Sequence, residues 1–344
     1  MAPHETIAPH DAPTLGGAIR PRRRRQGSTP GSDWEDAAID QSPTHDGGYG
    51  GIEAGGTSFV CAIGTGPRDL RERTVIATGA PEETLAQVVA HLRRQELRAI
   101  GIACFGPLDL AAGRITSTPK PGWEGAEVLG TIRAAFGELA VGFDTDVNGA
   151  GLAEWRWGAA QGLDTFTYIT VGTGIGGGGM VGGQLMHGLA HPEMGHMRLP
   201  RHPGDPLERG ACPFHGDCWE GWAAREAIQR RWGEGCQATD LTREEDLELL
   251  AHYIAAGVAN VICTISPQRV VLGGGIVLGG GNEEHRDRVL ASVRRQAAEL
   301  LNGYLQLEEL ASRIDDYIVA PALGADAGVL GGIALAQLAV EHGA

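Results

Sequence analysis

Two periods of apolar spacing run through this chain. Residues 57–63 (Thr-Ser-Phe-Val-Cys-Ala-Ile) are rich in β-forming side chains and follow a glycine-laden turn, which predicts a strand. Leu85, Val88, Val89 and Leu92 recur at helical spacing, predicting a helix over 82–97. Residues 98–104 and 139–143 are short continuous apolar runs of the kind buried strands show. A helix is expected over 147–162, with Trp155 and Trp157 near its end, and a strand pair at 166–171 and 177–181 around a glycine turn. Further helices are expected at 219–232 and at 244–265, where Leu247, Leu250, Ile254, Val258 and Val261 form one stripe. A short strand at 269–272 runs into Gly273-Gly274-Gly275, and helices at 285–301 and 327–340 close the chain. Strands alternating with helices predict an α/β protein. No repeat of 20 to 50 residues is evident, although the two halves carry glycine-rich strand turns at similar places.

Residues 1–47 lack either period and are rich in Pro, Gly, Asp, His and Arg, which reads as a disordered tail. Its run Arg22 to Arg25 could touch nucleic acid, but the tail holds seven acidic residues against five arginines. No apolar stretch follows the run, so a secretion signal is not expected.

Composition narrows the chemistry. The chain has 344 residues, 54 of them glycine, about twice the usual share of ~7%. A formal net charge of −15 argues against a general polyanion-binding surface. A phosphate ligand would have to be met by local backbone amides and a divalent cation. Cys61, Cys104 and Cys263 lie in apolar runs, which points to a reducing, cytoplasmic setting rather than a disulfide framework. No run of about 18 apolar residues is seen, so no membrane span is expected.

The glycines gather in three places. Gly50-Gly51-Ile52-Glu53-Ala54-Gly55-Gly56-Thr57-Ser58 and Thr170-Val171-Gly172-Thr173-Gly174-Ile175-Gly176-Gly177 each let backbone N–H groups converge on an anion, with a hydroxyl added. Neither is a Walker loop nor a dinucleotide fingerprint. Gly273, Gly274 and Gly275 end a strand where a nucleotide base or ribose could pack; a plain strand exit is the alternative.

Phe143-Asp144-Thr145-Asp146-Val147-Asn148 sets two carboxylates and an amide between a strand and a helix. Asp146 there can accept the proton of an attacking hydroxyl, or it can simply cap the helix. Cys212-x2-His215-x2-Cys218 is a compact N/S donor set, and His196, sixteen residues before Cys212, supplies a fourth ligand for tetrahedral zinc. A Cys212–Cys218 disulfide or two unlinked cysteines are the alternatives. Four protein ligands leave zinc no open position, so such a site shapes an irregular loop rather than catalyses. The second ring nitrogen of His196 would face a sugar hydroxyl, with Glu193 and Glu220 accepting from its neighbours. His187, His191 and His202 read more readily as surface or packing residues.

Several of these motifs, in this order, resemble the ROK family of sugar kinases, and within it the zinc-containing bacterial fructokinases, over residues 48–339. Gly51 to Thr57 resembles the family's first phosphate loop, and Thr170 to Gly177 its second. Gly106-Pro107-Leu108-Asp109 and residues 117–123 resemble sugar-side loops, and Glu-Met-Gly-His at 193–196 resembles the sugar and zinc motif. The departures are Glu53 and Ser58 at the ends of the first loop, Thr145 in place of the usual Asn, and the Cys-x2-His-x2-Cys box.

The resemblance implies an actin-like, ribonuclease H-like fold of two α/β lobes around a cleft. The small lobe would be 48–145 completed by the helix at 326–344, and the large lobe 146–325 with the zinc loop. It implies ATP and Mg²⁺, with Glu53 toward the cation and nucleotide contacts from Gly55, Gly56, Thr57, Thr170, Gly172, Thr173, Gly174 and Gly273 to Gly275. It implies Asp146 as base, with Asp109, Thr145, Glu193, His196 and Glu220 toward a hexose, fructose being favoured over glucose, mannose or an N-acetylated amino sugar. A homodimer is implied. A silent sugar-sensing regulator is the rival of another class; the short polar tail offers no DNA-binding domain.

Overall fold

The computed structural model describes residues 47–343; the expected tail, Gly47 apart, lies outside them. Three consecutive strands, β1 (Gly48–Ala54), β2 (Ser58–Gly66) and β3 (Asp69–Ala77), pair antiparallel. Helix α1 (Pro81–Leu92), β4 (Leu97–Cys104), the hairpin β5 (Leu108–Asp109) and β6 (Arg114–Ile115), α2 (Val128–Phe136) and β7 (Ala140–Thr145) follow. The sheet runs β3-β2-β1-β4-β7, with β1, β4 and β7 parallel.

The second half repeats that path. After α3 (Asp146–Trp157) come β8 (Phe166–Val171), β9 (Ile175–Val181) and β10 (Gln184–Leu185). Then follow α4 (Trp219–Ala223), α5 (Arg225–Trp232), α6 (Glu244–Ile265) and β11 (Val270–Gly273). The last elements are α7 (Gly275–Leu278), α8 (Glu283–Leu301), α9 (Glu308–Ala311), α10 (Ile314–Tyr317), β12 (Ile318–Val319) and α11 (Ala327–Glu341). The second sheet runs β10-β9-β8-β11-β12, again three antiparallel neighbours followed by two parallel ones. Two such sheets form the actin-like, ribonuclease H-like arrangement.

Glycines decide how the halves meet. Gly51, Gly101 and Gly142 stand side by side on β1, β4 and β7. A Cβ at these positions would lie 2.6, 1.9 and 2.3 Å from the carbonyl oxygens of Val329, Gly332 and Leu335. The row is therefore a backbone-lined trough, and α11 lies in it. That helix is apolar nearly all round, as a helix buried on every side must be. On its other side Gly331 meets Gly149 of α3, where an added Cβ would come within 2.4 Å of backbone. Helix α3 in turn packs on β8 and β9. The layers are thus first sheet, α11, α3, second sheet.

Four expectations shift. The helix expected over 147–162 ends at Trp157, where Gly158 caps it. The helix expected to reach residue 97 stops at Leu92, because Leu97 pairs with Gly48 at the start of β4. The helix expected over 219–232 breaks at Ala224, whose ψ is 175°, and Arg225 N–H is turned onto Gly172 O at 3.0 Å. The first glycine turn is only Gly55 to Thr57; Gly50 to Ala54 are strand β1. One helix, α6, is long and apolar enough to cross a bilayer by length and composition, although none was expected; its stripe is buried in the second lobe's core.

Candidate active site

Asp146 is placed by a local device. Thr145 Oγ1 accepts from Asn148 N–H at 3.1 Å and caps α3, so Asp146 occupies the first helical position and does not cap. It opens into a cavity of about 550 Å³ between the lobes, lined also by Glu53, Thr170, Gly274, Gly275, Arg286 and Gly328. Burial lifts the Asp146 carboxyl to a pKa of about 6, partly countered by the N–H of Val147 at 2.9 Å. Glu53, on β1 and packed against Gly328, is raised to about 7 by burial and then by the charge of Asp146.

The other acids share this neighbourhood. Glu193 is raised to about 7 by partial burial, then by Asp146 and Glu220. Glu220, in the first turn of α4, accepts from Ile175 N–H at 3.1 Å and stands behind Gly174, where a Cβ would lie 2.6 Å from its Oε2. It therefore ties the helix after the Cys/His loop to the second glycine turn.

Below Asp146 lies a closed polar network. Asp144, buried, accepts from Asn148 Nδ2 at 2.9 Å, Thr145 N at 2.7 Å and His187 Nε2 at 2.8 Å. Asn148 also accepts from Gly179 N–H at 3.0 Å. Its hydrogen bond to Asp144 raises the pKa of His187.

The Cys/His cluster assembles as expected. His196 Nδ1, Cys212 Sγ, His215 Nδ1 and Cys218 Sγ lie within 4.8 Å of one another. Their S···N separations are 3.5, 3.7 and 3.9 Å, close to the spacing of about 3.5 Å that tetrahedral zinc imposes on such ligands. All six cysteines are free thiols in this structure, Cys212 and Cys218 among them. The loop carrying the cluster is also fixed by a buried ion pair: Arg231 donates to both oxygens of Asp205 at 2.9 and 2.8 Å, and Tyr253 Oη donates at 2.6 Å.

Not every expected residue reaches the cleft. Thr145 is 3% exposed, its hydroxyl accepts the capping hydrogen bond, and it does not line the cavity that Asp146 opens into. Asp109 is turned onto its own hairpin, accepting from Ala112 N–H and lying 3.8 Å from Arg114. Of the expected nucleotide contacts, Thr170, Gly172, Gly274 and Gly275 line cavities. Gly55, Gly56, Thr57, Thr173, Gly174 and Gly273 lie outside these two: Gly56 and Thr57 stand exposed, and Gly273 lies under Pro321. A second cavity of about 280 Å³ shares Gly275 and Gly280 with the first and adds Arg225, Cys236, Gln237 and Thr239. Arg225, Cys236, Gln237 and Thr239, with Tyr168 and Arg286, carry no local signal in the sequence and join the site only through contacts distant in the chain; His187 and His191, which read more readily as surface or packing residues, join it too.

An inter-lobe cleft floored by a partly buried acid at a strand-to-helix junction defines a two-lobed phosphotransferase of the actin-like class. The ROK family matches residues 49–339, and the chain belongs to it. It is 43% identical over 306 residues to the fructokinase of Zymomonas mobilis, covering 86% of this chain and 97% of that protein. It is 36% identical over 299 residues to the fructokinase of Pediococcus pentosaceus, covering 85% and 99%. The ROK hexokinase structure from Thermus thermophilus superposes with a TM-score of 0.67 at 29% identity, covering 86% and 99%.

Proposed function

We propose that this chain is an ATP-dependent fructokinase that phosphorylates the 6-hydroxyl of fructose. Relatives 36–43% identical over most of its length are named fructokinases. The observation that carries the chemistry is Asp146. It is a carboxylate at the floor of the cleft, with a pKa of about 6, ionised near neutral pH yet basic enough to take a proton. In this reading Asp146 Oδ accepts the hydroxyl proton as the oxygen attacks the γ-phosphorus of ATP, the bond from that phosphorus to the bridging oxygen breaks, and ADP leaves. Thr170 and the backbone at Gly274 and Gly275 line the polyphosphate channel, and the smaller cavity takes the base. Glu53 would hold a magnesium ion or its water, and that ion would supply neutralisation of phosphate charge.

Glu193 and Glu220 accept from sugar hydroxyls in this reading, and His196 joins them through Nε2. That nitrogen lies 3.9 Å from Glu193 Oε2, while Nδ1 faces the Cys/His cluster. The four donors fit zinc, which would fix the orientation of that ring. Paired acceptors favour a polyol because a buried carboxylate left unmatched is costly. A panel of fructose, glucose, mannose and N-acetylated amino sugars with ATP and coupled ADP detection tests the assignment. Fructose should give the highest kcat/KM; a larger value for another hexose would reassign the substrate.

A further inference from the structure

The segment after β10 carries two histidines, and both reach across to the first lobe. His187 binds Asp144, at the end of β7, close to the junction between the halves. His191 reaches further out. Its side chain is 5% exposed, and its Nε2 accepts from Leu108 N–H of β5 at 2.8 Å, although the two residues are 83 positions apart. The approach is close enough that a Cβ at Gly106 would lie 3.3 Å from His191 Cε1.

The tautomer follows from that contact. A ring nitrogen that accepts cannot carry the proton, so the proton sits on Nδ1. Nδ1 faces Glu193 Oε1 at 3.4 Å, within reach of the acid assigned to the sugar. Burial holds the ring neutral by lowering its pKa, against the opposing effects of the Pro192 backbone and Asp144. One nitrogen therefore senses the position of the first lobe, and the other orients a hexose acceptor.

We propose that His191 is a positioning residue that clasps the two lobes on the sugar side and sets hexose affinity through Glu193, a role that rests on the sugar-kinase reading above. A loop that only packed would not need an acceptor at Nε2. The clasp does, because Nε2 is the acceptor that the Leu108 amide donates to across the lobes.

Two substitutions separate the roles. His191→Phe keeps a ring and removes both polar contacts; His191→Gln keeps an oxygen able to accept from Leu108. Hexose affinity by calorimetry without nucleotide, hexose KM, ATP KM, kcat and Tm are measured for both. H191F should weaken hexose binding about tenfold or more, the loss expected when a buried amide loses its partner, with ATP KM little changed. H191Q should recover most of the affinity. Hexose binding unchanged in H191F, or H191Q as weak as H191F, overturns the clasp. So does a rise in ATP KM and hexose KM together with a fall in Tm. Hydrogen exchange on the wild-type enzyme gives a check free of mutation: the Leu108 amide should be protected, and more so with bound hexose. Fast exchange in both states overturns the proposal. If the enzyme phosphorylates no hexose yet binding still weakens in H191F and recovers in H191Q, the clasp stands and the kinase reading falls. If no hexose binds at all, the clasp falls with it.

Discussion

Asp146 holds its chemistry because its neighbour takes on the capping task. Had Asp146 capped α3, its oxygens would be committed to the N–H groups of the next turn; with Thr145 as cap, Val147 N–H and its own N–H draw on them. Asp146→Asn should lower kcat by about 10²–10⁴, the range for a lost general base. The pH profile should carry an acidic limb, because the base works only when ionised. With Asp146 raised to about 6 and the coupled Glu53 to about 7, kcat/KM should fall as pH drops through that window. Stability runs the opposite way. These folded pKa values lie above those of an unfolded chain, near 4, so their contribution is full below pH 4 and lost as pH rises through 6 to 7. Ligand-free D146N should therefore melt no lower than wild type at pH 7.5, and a clearly lower Tm would contradict the burial argument.

At the scale of elements, the trough for α11 is the most demanding feature. A methyl at Gly101 would sit 1.9 Å from Gly332 O and 2.4 Å from Ala336 N, both rigid backbone atoms. The helix would have to lift off β4, and α3 with it. Gly101→Ala should cost about 1–3 kcal/mol or more, read as a lower urea midpoint. Gly56→Ala is the matched control, since its Cβ would meet nothing within 4 Å and stability should be unchanged. Equal midpoints for the two variants would show that the trough gives way more easily than its geometry implies.

For the whole molecule, the Cys/His loop is the least self-sufficient part. It is fixed at one end by the buried Asp205–Arg231 pair and at the other by the donor cluster, with Glu220 beyond it touching the second glycine turn. Protein purified without added metal should hold about one equivalent of zinc. Stripping it with a chelator should lower Tm and raise hexose KM more than ATP KM, because His196 and Glu220 lose their support before the nucleotide cavities do. Zinc well below half an equivalent, or unchanged kinetics after stripping, would refute a structural metal.

Much of this was legible along the chain because it rests on local chemistry. Apolar period set most elements, and α6 runs from Glu244 to Ile265 as its stripe predicts. The compact spacing of Cys212, His215 and Cys218 fixed three donors in advance, since six residues of loop cannot carry them far apart. Where Asp146 stands followed from the strand-to-helix junction. The sequence could not show that Thr145 caps α3 and Asp109 folds onto its own hairpin, that Gly51, Gly101 and Gly142 align, or that His191 meets Leu108. Those facts depend on which strands become neighbours and how the lobes face each other. Pairing and packing between segments far apart in sequence leave no periodic trace in either one alone.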